Sequence, residues 1–173
     1  DPFAEPERLS VVEAFARHAG IDLFATMDDA GNTDGAALAR QMAGLGMAVP
    51  EDTSWSYLFS LILTDKVEPA LGMGRMTVLD RYPAAEAALA RRASDDRRVS
   101  ERFELYACGV ELANGFGELT DADEQRRRFM AEMAEKERIY GERYPLDEDF
   151  LAALALMPAA SGVALGFDRL VML

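Results

Sequence analysis

The sequence predicts an α+β fold in which helices flank an antiparallel sheet. Three observations carry this. Capped helical segments dominate the first 70 residues, and strand patterns begin only after Pro69. Regular βαβ alternation, the mark of a parallel sheet, is missing throughout. Residues 1–70 therefore read as a mainly helical segment and residues 71–173 as the part that builds the sheet. No internal repeat is visible.

Ser10 followed by Glu13, with Gly20 behind them, makes a capping box and a glycine stop, which predicts a helix over residues 11–19. Thr33 or Asp34 caps a second helix through AALARQMAGLGM. Asp52 or Thr53 caps a third, SWSYLFSLILTDKV, which reads as mostly buried. MTVLDRY alternates and carries β-branched residues, so it reads as a strand. PAAEAALARR is a short helix or irregular crossover, and ASDDRRVS a charged turn. Residues 101–118, ERFELYACGVELANGFGE, read as two strands joined near Cys108-Gly109. Asp121 opens a long charged helix to about Tyr140, supported by Glu/Arg and Glu/Lys neighbours, an exposed insertion with no chemistry of its own. Asp147 opens LDEDFLAALALM, Pro158 ends it, and SGVALGF forms a last strand leading into DRLVML. Residues 150–167 carry no charge, but Pro158, Ser161 and Gly162 interrupt them. A buried helix followed by a buried strand is predicted there, not a membrane span.

The 173 residues carry 18 Lys+Arg against 31 Asp+Glu, a formal net charge of −13. That balance argues against tight nucleic-acid binding by this chain alone, because such binding draws its affinity from cations neutralising phosphates. It fits cationic ligands, metal ions or basic partners, or simply keeps the protein soluble. One cysteine, Cys108, excludes an intrachain disulfide and points to a reducing, cytoplasmic compartment. The opening DPFAEPERLS has neither a basic region nor an apolar run, so it is no signal peptide. The chain begins without Met and stops inside the apolar run LVML, which reads as part of something longer.

The hairpin carries the most chemistry. Glu104 and Glu111 lie seven residues apart. With Cys108-Gly109 as the turn, Tyr106 faces Glu111 and Glu104 lies diagonally on the same side. Two carboxylates placed so can hold Mg²⁺, which favours oxygen ligands; an exposed charged sheet edge shows the same spacing. Strict alternation puts Asn114, Phe116 and Glu118 on the opposite face, but Asn114-Gly115 is a natural bulge site. A bulge there would bring Glu104, Glu111, Asn114, Phe116 and Glu118 to one pocket. In SGVALGFDRL, the small residues Gly162, Ala164 and Gly166 leave one strand face bare for a flat ligand. Arg169 follows, a permanent cation suited to polyphosphate; tight packing with Arg169 paired to an acid gives the same pattern.

Together, ERFELYACGVELANGFGELTD and SGVALGFDRLVML, in this order and spacing, resemble the catalytic core of class II lysyl-tRNA synthetases, and most closely their short paralogues, the elongation factor P–lysine ligases. TDKVEPALG, PAAEAALAR and RRVSERFE resemble the same family, so the likeness covers most of residues 55–173. It implies a class II antiparallel sheet, here incomplete, and an ATP-dependent activation of lysine or β-lysine. Glu104 and Glu111 match the acids that hold Mg²⁺-ATP, with Glu111 also near the substrate amino group. Leu105 flanks the nucleotide. Asn114, Phe116 and Glu118 match the lysine pocket, with Glu118 opposite the side-chain ammonium. Gly162, Gly166 and Arg169 match the third signature, Gly166 lining the ATP site and Arg169 holding the terminal phosphates; Arg169 and Glu111 are the candidate catalytic pair. Ala164 stands where tRNA-charging enzymes usually have Gly, a ligase-branch feature that bears on the lysine isomer. The implied acceptor is elongation factor P rather than tRNA. The first two class II signatures, and the dimer contact that the first provides, are not in these 173 residues.

The remaining candidates read as structural. His18 is a surface or interface residue, and Cys108 an incidental thiol. Trp55, Tyr57 and Phe59 serve packing. Arg91, Arg92, Arg97 and Arg98 around Asp95 and Asp96 form a solvated mixed-charge turn in preference to a phosphate patch.

Overall fold

The computed structural model describes residues 4–173. Of the opening decapeptide, Asp1–Phe3 lie outside the described residues, while β1 (Glu7–Ser10) is a strand that the sequence patterns missed. It pairs in parallel with β2 (Thr77–Asp80), Glu7 opposite Thr77 and Ser10 opposite Asp80. β3 (Arg102–Ala107), β4 (Val110–Gly117) and β5 (Ser161–Leu165) follow, giving a five-stranded sheet in the order β1-β2-β3-β4-β5. All pairings after the first are antiparallel. The expected antiparallel sheet is thus mixed, because β1 arrives from the helical segment.

Helix α1 (Val11–Ala19) has the expected capping box: Ser10 accepts from the Glu13 N–H, Glu13 accepts from the Ser10 N–H, and Gly20 closes the helix at φ 71°. Asp34, one of the two candidates, caps α2 (Gly35–Gly44). The cap of α3 (Trp55–Ile62) is Ser54, not Asp52 or Thr53. Thr53 instead donates its hydroxyl to the Pro50 carbonyl, and Asp52 sits at positive φ. After α3 the chain widens into a π turn, Leu63–Val67, and tightens into a 3₁₀ turn, Glu68–Ala70, that reaches the end of the hairpin.

Leu9, Phe15, Phe59, Leu79, Tyr82 and Tyr106 belong to one buried cluster between these helices and one sheet face. Phe59 stacks on Phe15 at 4.9 Å and on Trp55 at 5.2 Å, and Trp55 donates its indole N–H to Thr26. Tyr57, read as a packing residue, points to solvent instead. Each large side chain fully buried here contributes about 1.5–3 kcal/mol.

Gly72 locks the helical segment to the hairpin. It adopts φ 71°, and a Cβ there would lie 2.5 Å from Ala107 Cα. Its carbonyl accepts from the Cys108 N–H and its own N–H donates to Thr77. Gly72→Ala is expected to cost about 2–4 kcal/mol and to lower the melting temperature by roughly 10 °C, read by circular dichroism. An unchanged melting temperature would show that the junction yields.

α4 (Ala122–Tyr140) starts at Asp121 as the sequence predicts. It is largely exposed, yet its first turns are anchored. Gln125 is buried and donates to the Ala88 carbonyl, and Arg128 donates to the carbonyls of Ala87, Ala88 and Ala90. α5 (Glu148–Leu154) begins at Asp147 but ends before Pro158, burying only Leu151 and Leu154. α6 (Phe167–Met172) closes the chain. The expected buried last strand is a correction: Val163 and Leu165 of β5 are 64% and 54% exposed. Among the described residues β5 is bonded only to β4, and all five of its residues are exposed. Among the described residues no helix is long and apolar enough to cross a membrane.

Candidate functional site

The helices cover the sheet over β1–β3 and leave the same face open at β4 and β5. The hairpin turns on Cys108 and Gly109, whose φ values of 52° and 74° suit a two-residue turn that matches strand twist. Tyr106 pairs with Glu111, as the spacing predicts, but the next pairs are Leu105 with Ala113 and Glu104 with Asn114. Leu112 is therefore the extra residue of a β-bulge. It lies before the expected Asn114-Gly115 position and has the expected effect, turning Asn114 and Phe116 to the side of Glu111. Two contacts from the end of the chain hold it. The Gly166 N–H donates to the Leu112 carbonyl at 2.8 Å, and Arg169 Nη1 donates to the Glu111 carbonyl at 2.9 Å.

One face of the sheet now carries Arg102, Glu104 and Tyr106 from β3, and Glu111, Asn114 and Phe116 from β4. Ala164 lies beside Asn114 and Gly162 beside Phe116. Glu118 borders the same surface, since a Cβ on Gly162 would stand 3.4 Å from its Oε1. The bare glycine thus opens a shelf that a carboxylate edges. Leu105, a candidate beside the nucleotide, turns its side chain to the opposite face by strand alternation, so its backbone alone is near the others.

Glu104 is the hub. It is 5% exposed, and its Oε1 accepts from Arg102 at 2.6 Å and Asn114 at 3.1 Å. Its Oε2 accepts from Tyr106 at 2.7 Å and from Tyr82. Burial, then the negative Glu104, pushes both phenols well above the ordinary tyrosine range, so both remain donors. Arg102 also lies over the Tyr82 ring, 4.3 Å from its centroid, and donates to the Glu86 carbonyl. Glu68 arrives from the 3₁₀ turn, with Oε1 at 3.2 Å from the Tyr106 hydroxyl. Burial pushes its carboxyl above the usual range, and the charges of Glu104 and Glu111 add to this, while Tyr106 and Arg169 oppose it.

Glu111 and Arg169 form the more exposed part. Their ion pair, Nη1 to Oε2, is 3.1 Å long, with side chains 33% and 52% exposed. Exposed pairs of this kind exchange partners at little cost.

A carboxylate offers about four lone-pair positions, and those of Glu104 all have protein donors. A cation shared by Glu104 and Glu111 requires Glu104 to release one of them, the contact from Asn114 being the longest. Among the described residues no group of three or more His, Cys, Asp or Glu side chains is placed to hold a metal ion.

Sequence reasoning missed Glu68, Tyr82 and Arg102. Arg102 had a signal: two residues before Glu104 on a strand, it shares its face. The arginines of the charged turn are engaged elsewhere, Arg91 with Glu101, Arg92 with Glu124 and Arg98 with Asp96.

Residues 66–173 match the family model of class II tRNA synthetases (D, K and N). The chain is 43% identical over 170 residues to the elongation factor P–(R)-β-lysine ligase of Pectobacterium atrosepticum, covering 96% of this chain and 50% of that protein. Its counterparts in Proteus mirabilis and Klebsiella pneumoniae are each 44% identical over 170 residues, with the same coverage. The chain spans about half the length of the curated relatives it matches. It belongs to the class II tRNA synthetase family, in the group of the aspartate, lysine and asparagine enzymes.

Proposed function

We propose that these residues form part of the active site of an ATP-dependent ligase that activates lysine or β-lysine as an adenylate and transfers it to a lysine of elongation factor P. The observation that supports this most is the bulge at Leu112, which gathers Glu111, Asn114 and Phe116 on the open face with Gly162 and Ala164, beside Glu118. A cationic amino acid gives an acidic shelf its purpose. Glu118 would receive the side-chain ammonium over Gly162, and Glu111 the other amine.

The reaction joins a carboxylate oxygen to the α-phosphorus of ATP while the bond to pyrophosphate breaks. Positioning and charge neutralisation do most of this work. Arg169 would swing from Glu111 to the terminal phosphates, and Gly166 would let the nucleotide approach the backbone. Glu111, and Glu104 after releasing a donor, are the carboxylates that would hold Mg²⁺, which neutralises phosphate charge when bound. A cytoplasmic location and a homodimer belong to the same reading.

Transfer distinguishes the acceptors. The complete protein, given ATP and labelled lysine or β-lysine, is expected to label elongation factor P; label in bulk tRNA would overturn the choice of acceptor. Ala164 is the residue expected to set the isomer, because its methyl narrows the shelf beside Asn114. Ala164→Gly is expected to shift the ratio of kcat/KM values toward α-lysine by about tenfold, the effect of one carbon in a close-fitting pocket. An unchanged ratio would remove Ala164 from the pocket.

A further inference from the structure

We propose that Glu68 is a positioning residue of this site, a neutral hydrogen-bond donor that fixes the Tyr106 hydroxyl and, through it, the Glu104 carboxylate. Hydrogen counting carries this. The Tyr106 oxygen lies 2.7 Å from Glu104 Oε2 and 3.2 Å from Glu68 Oε1. A phenol has one hydrogen. The shorter contact, to the buried acid that also accepts from Tyr82, takes it. The second contact then joins two oxygens and is attractive only if Glu68 brings a proton. The chain runs from the Glu68 hydroxyl to Tyr106 Oη, and from the Tyr106 hydroxyl to Glu104. Burial and the negative neighbours Glu104 and Glu111 favour the neutral form of Glu68, and the positive Arg169 opposes it; a hydrogen bond from Tyr106 to a charged Glu68 would oppose it too, and that is the arrangement this proton order replaces.

A neutral Glu68 also keeps one more negative charge away from the place where phosphates would approach Arg169. The 3₁₀ turn Glu68–Ala70, between the π turn and the Gly72 lock, brings Glu68 to the hairpin. Nothing in the family resemblance assigns Glu68 a role, and it does not need to touch substrate to act.

The activity test rests on the adenylation reading; a spectroscopic test does not. Gln keeps a donor at this position and carries no charge, whereas Ala removes the donor. In amino-acid-dependent ATP–pyrophosphate exchange by the complete protein, Glu68→Gln is expected to stay within about threefold of the parent, and Glu68→Ala to lose about tenfold in kcat/KM. The melting temperatures of the two variants should agree within a few degrees. Equal damage from both would show that the charge is used and overturn the proposal, as would full activity in Glu68→Ala. If the parent shows no exchange, the adenylation reading fails by itself. Isotope-edited infrared spectroscopy at neutral pH then decides: a protonated-carboxyl stretch that disappears in Glu68→Gln supports the proposal, and its absence in the parent overturns it.

Discussion

Glu104→Ala is expected to cost about 3–5 kcal/mol of stability, the usual effect of removing one partner from a buried ionic network. For a protein of this size that lowers the melting temperature by roughly 10 °C. The substitution deletes an acceptor for Arg102, Asn114, Tyr82 and Tyr106 at once. It leaves a guanidinium, an amide and two phenols to find partners where only 5% of the glutamate met solvent. Asn114 would then lose its anchor beside Ala164, and exchange activity should fall with stability. Thermal unfolding of the purified variant checks this, and a shift under 2 °C, within about 1 kcal/mol, would refute the hub assignment.

Arg169→Ala should separate the two effects. Its pair with Glu111 is half exposed and sits at the open end of the sheet. Such a pair is worth about 0–1 kcal/mol, so the melting temperature should barely move. Exchange activity should nonetheless drop by about 10²–10³-fold, the loss typical of one preorganised charge at a reacting group. If activity fell only in step with stability, Arg169 would be a brace for the Leu112 bulge and not a phosphate ligand. The carbonyl of Glu111, its second acceptor, is the partner through which that brace would act.

Much of this site was legible because its rules are local. The Cys108-Gly109 turn, the pairing of Tyr106 with Glu111, and the caps at Ser10, Asp121 and Asp147 each depend on neighbours within a few residues. The bulge was foreseen in its effect but misplaced. Asn114-Gly115 has the local chemistry for a bulge, whereas the Gly166 N–H and Arg169, supplied from far along the chain, hold one at Leu112. β1 was missed for a similar reason: ERLS shows no apolar alternation, and its partner β2 lies some 70 residues away. Glu68 and Tyr82 were missed because their partners, Tyr106 and Glu104, lie 38 and 22 residues distant. The exposure of β5 was unreadable from SGVALGF itself, since a run of small and apolar residues looks the same covered or open.

The most direct test is amino-acid-dependent ATP–pyrophosphate exchange by the complete protein, with lysine, (R)-β-lysine, aspartate and asparagine compared side by side. Exchange with a lysine isomer, and none with aspartate or asparagine, is the expected result, because Glu118 and Glu111 edge the shelf with negative charge. Exchange driven by aspartate or asparagine, or the same rate with every amino acid, would contradict it.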